Sequence, residues 1–395
     1  LIILIKIDDQ GFRARIERRK ETEFMSKGLS ATPASLAGLE GVVAAHTLLS
    51  DVDGLAGRLT LRGYAVEDLA HRAGFEDVAH LLLDGFFESM PSDLAPALGA
   101  ARARAFAEVA ALDEALARRD PVEAVRALIA RLPDGDGLDT ALLLIAAPAV
   151  FTPAVLRVAS GQQPIAPDAA LSHAADILRM TRGVPATDGE ARALDAYLVT
   201  VSDHGLNAST FAARVVASTR AGLTSAVLAG ISALKGPLHG GAPGPVIEML
   251  DAIDTPENAE TWILSALARG DRLMGFGHRI YRVRDPRADA LKAAIRQLAL
   301  TSNTVPGRLA FAEAVEQAAL RILRDHKPDR PLDTNVEFYT AVLLEALGLP
   351  PASFTCVFAM GRTAGWIAHA REQLATGKLV RPQSVYVGPR TKEAA

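Results

Sequence analysis

The chain reads as all-α: a large helical domain with a smaller helical domain inserted into it. Three observations predict this. Apolar residues recur at three- and four-residue spacing from about residue 60 onward. The run from Ser209 to Leu234 is dense in Ala, Ser, Thr and Gly, which let helices pack closely, so a central buried helix pair is expected there. Alternating strand patterns are nearly absent.

Taken in order, residues 1–30 are expected to form a poorly ordered extension. Leu1 to Ile5 is apolar, but the charges follow it, from Arg13 to Glu23, the reverse of a signal peptide. Met25-Ser26-Lys27 reads as an ordinary start. A small hairpin is expected near residue 55, with Asp53-Gly54 turning into Arg58 to Arg62; Ser384 to Val387 is a second strand candidate. Residues 65–70 and 77–83 show helical spacing, and 103–131 is rich in good helix formers. The longest apolar run, Ala141 to Leu156, is broken by Pro148 and Pro153 and is too short to span a bilayer. Prolines and glycines punctuate the chain at 132–137, 161–167, 236–245 and 348–351. The loop at 236–245 and the segment near 345 bracket the inserted piece. The expected division is 31–238 with 346–395 as the large domain and 239–345 as the small one.

Composition excludes several functions. Of 395 residues, 49% are hydrophobic and 22% charged, enough for a packed core, and the net charge of −4 gives no footprint for nucleic acid. The single cysteine rules out an intrachain disulfide and fits a reducing, cytoplasmic setting. Cys356 lies in the apolar run Phe354 to Phe358, where a buried structural thiol is expected. A metal is not expected: there is no second cysteine and no HExxH. Neither a GxGxxG after a strand, a Walker loop nor a nucleophile elbow is present.

The chemistry gathers in three segments. Lys235 to Ala242 holds His239 between a Gly-Pro turn and a Gly-Gly pair. Glycine permits close backbone approach to a ligand, and proline fixes the entry to the turn. Gly275-Phe276-Gly277-His278 presents a second histidine similarly. Asn335 to Tyr339 carries Glu337 among apolar neighbours. Two turn-held histidines and a partly desolvated carboxylate make an acid–base constellation.

Of the other histidines, His46, His71, His80, His173, His326 and His369 read as partly exposed or core-edge residues. His204 differs: Asn207 and Ser209 can cap the next helix, which leaves His204 for a ligand. Arg279, Arg282, Arg284 and Arg287 follow His278, and arginine clusters suit carboxylates and phosphates. Arg362 is a lone charge in an apolar, small-residue helix, and a buried arginine needs an anion. Arg381-Pro382 closes the set. An acidic substrate, with a phosphate-bearing cofactor, is the simplest shared ligand.

Together these segments resemble the citrate synthase family. The match runs through Asp51 to Gly54, Arg62 to Tyr64, Asp203 to Ser209, Lys235 to Gly241, Gly275 to Arg287, Asn335 to Tyr339, Phe354 to His369, Arg381-Pro382 and Tyr386 to Gly388, and covers roughly residues 39–390. The resemblance implies an all-helical homodimer whose small domain closes over substrate, with the active site in the interdomain cleft. It implies condensation of an acyl-CoA with a 2-oxo dicarboxylic acid, usually acetyl-CoA with oxaloacetate, as in the tricarboxylic acid cycle. Coenzyme A enters as a thioester substrate, and no cofactor is bound permanently. Nucleic acid and membrane are not implied partners. By the same resemblance His239 would stabilise the thioester enolate, Glu337 would take the methyl proton, and His278 would protonate the ketone. His204, Arg287, Arg362 and Arg381 of the partner subunit would bind oxaloacetate. Leu238, Gly275, Gly277 and Arg282 would contact CoA.

Two departures from the family pattern stand out. Its base is normally aspartate, and Glu337 adds a methylene, roughly 1.5 Å of reach. A misplacement of about 1 Å can cost ~10²-fold in rate. The family's Asn after Gly-Gly-Ala is Pro243 here. Two alternative readings follow: a 2-methylcitrate synthase using propionyl-CoA, which differs by one methylene worth ~1–3 kcal/mol, and a weakly active CoA- or dicarboxylate-binding paralogue.

Overall fold

A computed structural model describes residues 38–39, 41–240, 243–278, 280–301, 305–328 and 332–386. The expected extension at 1–30, together with Gly241, Ala242, Arg279, Val387 and Gly388, lies outside the described residues. Residues up to His46 and those from Thr47 onward are separate units. In the first, the described residues hold a turn in which Val42 N donates to Leu39 O at 3.1 Å.

The second unit opens with an antiparallel three-stranded sheet, β1 (Ser50–Asp53), β2 (Arg58–Leu61) and β3 (Tyr64–Ala65), in the order β1-β2-β3. This is the hairpin expected near residue 55; Asp53 pairs with Arg58 in register. Helices follow: α1 (Val66–Arg72), α2 (Phe75–Leu83), α3 (Ala95–Phe106), α4 (Glu114–Ala117), α5 (Pro121–Ile129), α6 (Leu138–Ala159), α7 (His173–Arg182) and α8 (Asp188–Val201). Then come α9 (Ala208–Ser218), α10 (Leu223–Leu234), α11 (Pro243–Ile253), α12 (Ala259–Ala268), α13 (Pro286–Ala299), α14 (Val305–His326), α15 (Val336–Ala346) and α16 (Phe354–Thr376). The fold is all-α apart from the small sheet. Ser384 to Tyr386 carry no strand.

Local chemistry sets most boundaries. Residues 103–131 are not one helix: Asp113 caps α4 by accepting from Leu116 N at 2.7 Å, and Asp120 caps α5 from Val122 N at 2.9 Å. Pro121 at the start of α5 has no N–H to continue an earlier turn. Thr187 and Glu190 form a reciprocal capping box on α8. The apolar run at 141–156 is longer than its prolines suggested. It forms the continuous 22-residue α6, with Pro148 and Pro153 inside it. By length and composition α6 could cross a membrane, but most of it is buried against protein. Packing by α3, α5, α7 and α16 offsets the hydrogen bonds the prolines forfeit.

Helix α16 is the centre of the core, buried on nearly every side by α2, α6, α8, α9 and α10. Two glycines allow this. A Cβ on Gly365 would lie 2.2 Å from Ser202 O, and one on Gly361 would lie 2.6 Å from Val201 Cγ2. The close approach carries Arg362 onto the end of α8. The expected pair α9–α10 packs together and on α16. It breaks where Arg220 (φ 63°) and Gly222 (φ 94°) take left-handed backbone. The pair is buried on one face only, since Phe211, Ala212, Val215, Val216, Leu228 and Ala229 are half-buried.

Two histidines depart from expectation. His173 and His369 are fully buried. His173 lies beside Arg102, which holds Asp176, and His369 joins Asp203 to Arg214 and Glu372. Periodicity missed this because the charges that make burial tolerable come from distant helices. Cys356 is buried as expected, and burial pushes its thiol up to about 12, which keeps it protonated and inert.

Candidate active site

The turn after α8 supplies His204, buried, with its Nε2 3.1 Å from the Tyr281 hydroxyl. Gly205 turns the chain at φ 61°, and Asn207 caps α9 through Ser209 N (3.1 Å) and Thr210 N (3.0 Å). Behind His204, Asp203 accepts from Ser50 Oγ and contacts His369 Nε2 at 3.2 Å.

His239 sits on the turn after α10, where its N–H donates to Gly236 O at 2.9 Å. Its Nε2 is 2.8 Å from Ser209 Oγ, which also accepts from Trp366 Nε1 at 3.1 Å. Ser209, read from sequence as a cap, is instead capped by Asn207, and its hydroxyl anchors a histidine. Burial pushes His239 down to about 4, with Arg362 and Arg287 adding to the shift. The ring is neutral at pH 7.

The loop carrying His278 is stitched to the start of α15. Gly277 N donates to Asp333 O (2.7 Å), Asn335 N to Gly275 O (2.9 Å) and Asn335 Nδ2 to Gly277 O (2.8 Å). Gly275 has φ 85°, and a Cβ there would meet Phe338 Cβ at 2.9 Å. His278 Nδ1 accepts from Ile280 N (3.0 Å) and Tyr281 N (3.1 Å). Two donors on Nδ1 leave the proton of the neutral ring on Nε2. Burial, and then Arg287, push His278 down to about 4 as well. The rings of His204 and His278 are 5.6 Å apart, edge to face.

Two predicted arginines behave differently. Arg287 is buried and bidentate to Asp285, through Nε (3.1 Å) and Nη2 (2.8 Å). Arg362 is buried at 1% exposure; its Nε donates to Val201 O at 2.5 Å, and its guanidinium lies over the Phe358 ring at 4.9 Å. Its Nη1 and Nη2 have no partner among the described residues. Desolvation lowers Arg362 to about 10, so it stays charged. Burying a cation without an anion is costly, and these two nitrogens mark an anion-binding point.

Glu337 follows the Asn335 cap of α15, whose Oδ1 accepts from Glu337 N at 3.0 Å. Burial pushes its carboxyl up to about 7; Arg287 and Arg362 oppose the rise and Asp285 adds to it. The same groups couple to His204, His239 and His278. His204, His239, His278, Arg287, Arg362 and Glu337 therefore share one electrostatic neighbourhood.

Other candidates lie outside that cluster. Leu238 is exposed, as are the side chains of Arg282 and Arg381. The Arg282 backbone N–H donates to Gly54 O at 2.9 Å, joining this loop to the hairpin. Arg284 is committed to Glu316 and Asp289, so it is no free phosphate ligand. Tyr281, Asp285, Trp366 and Tyr197 were not legible as site residues. Tyr281 had a faint signal, three residues after His278 in the same turn.

Comparison with known proteins identifies the family. The family model described as citrate synthase, C-terminal domain, matches residues 38–383. A putative citrate synthase 2 of Mycobacterium tuberculosis is 41% identical over 366 residues, 89% of this chain and 92% of that protein. A 2-methylcitrate synthase of the same organism is 36% identical over 89% of this chain and 90% of its own length. Among solved structures, citrate synthase from Thermotoga maritima superposes with a TM-score of 0.77 at 31% identity, covering 91% of this chain and 97% of that one. The Thermoplasma acidophilum enzyme, in a ternary complex with carboxymethyl coenzyme A and oxaloacetate, gives 0.78 at 28% identity, covering 91% of this chain and 97% of that one. With its helical core, its turn-held histidines and this span of similarity, the chain belongs to the citrate synthase family and is a transferase of that type.

Proposed function

We propose that this chain condenses acetyl-CoA with oxaloacetate to give citrate and free CoA. The observation that carries the proposal is Arg362, a fully buried cation whose two terminal nitrogens have no partner among the described residues. A substrate carboxylate supplies the missing anion, with Arg287, His204 and Arg381 of the partner subunit completing its grip. Glu337, ionising near neutral pH, takes the methyl proton of the thioester while His239 stabilises the enolate at the thioester oxygen. The enolate attacks the ketone, which His278 protonates from Nε2, and water then cleaves the thioester to release CoA. Leu238, Gly275, Gly277 and Arg282 meet the CoA moiety. The Thermoplasma complex, with its CoA analogue and oxaloacetate, supports this substrate pair.

Residues 239–345 are the smaller lobe of this proposal, closing on 31–238 and 346–395. The half-buried apolar face of α9 and α10, with Phe211, Val215, Val216 and Leu228 on it, supports a homodimer, and a cytoplasmic enzyme needing no permanent cofactor fits the scheme. The relative named 2-methylcitrate synthase favours a second reading, with propionyl-CoA as the acyl donor. Thiol release measured with acetyl-CoA and with propionyl-CoA, each beside oxaloacetate, tests both. A higher kcat/KM for acetyl-CoA supports the first and the reverse supports the second. Release with neither donor would leave a binding paralogue.

A further inference from the structure

We infer that the β1–β2 hairpin positions the two histidines of the ketone half of the site: Ser50 sets the His204 turn, and Gly54 sets the His278 loop. The inference rests on the reading of His204 and His278 as the groups that hold and protonate the 2-oxo acid.

The proposed reaction gives this hairpin no role, yet it is firmly rooted. Leu49, Leu59 and Leu61 are fully buried, and Leu48 N donates to Glu372 Oε1 on α16 at 2.8 Å. Side chains alternate along a strand, so Ser50 and Val52 share a face. That face covers the His204 turn. The Ser50 hydroxyl donates to Asp203 Oδ2 and accepts from Gly205 N at 2.9 Å, so one hydroxyl holds both neighbours of His204. A Cβ on Gly205 would lie 3.2 Å from Val52 Cγ2.

The other end of the hairpin reaches the His278 loop. Asp53 Oδ1 preforms the tip by accepting from Leu55 N (3.1 Å) and Ala56 N (2.9 Å). Gly54 O accepts from Arg282 N at 2.9 Å, and a Cβ on Gly54 would lie 2.5 Å from Ile280 O. The segment 280–282 also orients both rings. Ile280 N and Tyr281 N donate to His278 Nδ1, and the Tyr281 hydroxyl lies 3.1 Å from His204 Nε2. The contacts close a circuit, from Ser50 to the His204 turn, across to Tyr281, along to Arg282 and back to Gly54. Gly54 follows β1 directly, and the pairing of Ser50 with Leu61 and of Asp53 with Arg58 stiffens the span between its two ends. A stiff span across that circuit sets the 5.6 Å spacing of the His204 and His278 rings.

The two ends should fail differently. In Gly54→Ala the methyl group meets Ile280 O well inside the 3.4 Å of ordinary contact, so the segment must retreat by about 1 Å. A misplacement of that size lowers kcat by ~10²-fold. Ser50→Ala frees both neighbours of His204 and should raise the oxaloacetate KM about tenfold, with a smaller change in kcat. Ser50→Thr keeps the hydroxyl and should hold that KM within about threefold of wild type. Steady-state thiol release with acetyl-CoA and oxaloacetate reads these values. A second readout does not depend on turnover. In protein labelled with 15N-histidine, the His278 ring, assigned by its loss in His278→Ala, should show the Nε2–H tautomer in wild type and a mixture in Gly54→Ala. Unmoved ring signals in Gly54→Ala would overturn the inference, as would Ser50→Ala and Ser50→Thr acting alike on KM. So would a lower melting temperature in Gly54→Ala and Ser50→Ala with kcat and KM per folded molecule unchanged. Failure of the underlying reading looks different: the wild type would release no thiol from either acyl donor while Gly54→Ala still moved the ring signals.

Discussion

Arg102 and Arg362 are both fully buried arginines on helices of the same core. Arg102 spends every nitrogen. Its Nε bonds Asp176 at 2.8 Å, its Nη2 bonds the carbonyls of Asp168 (3.1 Å) and Leu171 (2.7 Å), and its Nη1 lies 3.4 Å from His173 Nδ1. Arg362 spends one nitrogen, on Val201 O, and keeps two unpaired. Asp195 and Glu337 make a parallel pair, both carboxyls pushed to about 7 by burial. Asp195 accepts from Phe75 N at 3.1 Å at the start of α2, whereas Glu337 sits among arginines and histidines that face one another. The two arginines share residue type and burial, and the two carboxyls share a titration shift, although Asp195 is buried and Glu337 half-buried. What separates a structural charge from a functional one here is whether the protein itself closes the hydrogen bonds. Closed networks hold helices together. An open one awaits a ligand.

The strongest way to break this comparison is at the carboxylates. Glu337→Gln should abolish exchange of acetyl-CoA methyl protons with solvent, a loss of at least ~10²-fold, and Glu337→Asp should retain some. Asp195→Asn, with the same titration range, should leave exchange per folded molecule unchanged. NMR of the methyl signal in deuterated buffer reads both, and a loss at Asp195 equal to that at Glu337 would erase the distinction.

At the arginines the prediction splits activity from stability. Arg362→Leu should lower kcat/KM for oxaloacetate by about 10²-fold or more, since an unpaired carboxylate is left behind. Acyl-CoA binding should change little, and the melting temperature should hold or rise because an uncompensated buried charge is gone. Arg102→Leu should do the opposite, destabilising the fold by up to ~3–5 kcal/mol, because Asp176 is left with Arg179 as its one cation and the carbonyls of Asp168 and Leu171 lose their donor, while sparing the chemistry of molecules that remain folded. Calorimetry beside steady-state kinetics separates the two.

The smallest effect is in pH dependence. A base titrating near 7 makes turnover fall as pH drops below that value. His239 and His278, held near 4, stay neutral over the same range. Stability carries the signs in reverse order. The carboxyls raised in the folded state contribute stability that is complete below the ordinary carboxylate range and is lost as pH rises through about 7. The two depressed histidines contribute stability that is present above the ordinary histidine value and is lost as pH falls through about 4. Glu337→Gln should therefore flatten part of the decline in melting temperature toward pH 7, leaving the share due to Asp195. An unaltered slope in that variant would mean that Glu337 ionises in the ordinary range.

Much of this was written locally. Apolar spacing set the helices, the Asp53-Gly54 turn set the hairpin, and of the two capping candidates Asn207 and Ser209 it is Asn207 that caps α9. Glycines beside His239 and His278 marked both turns. These features depend on neighbours within a few residues, where backbone sterics and capping act, so a linear reading reaches them. Which arginine stays open was decided elsewhere. Arg362 meets Val201 across 161 positions of chain, and Arg102 meets Asp176 across 74. In sequence Arg287 was one of a cluster and Arg362 a lone charge in an apolar helix, both read as anion ligands; Asp285 claims the first, and no described carboxylate reaches the second. Tyr197 and Ser209 acquired their surroundings the same way, from α15 and from Trp366. A buried charge is defined by what surrounds it, and only the packing of distant helices fixes that surrounding.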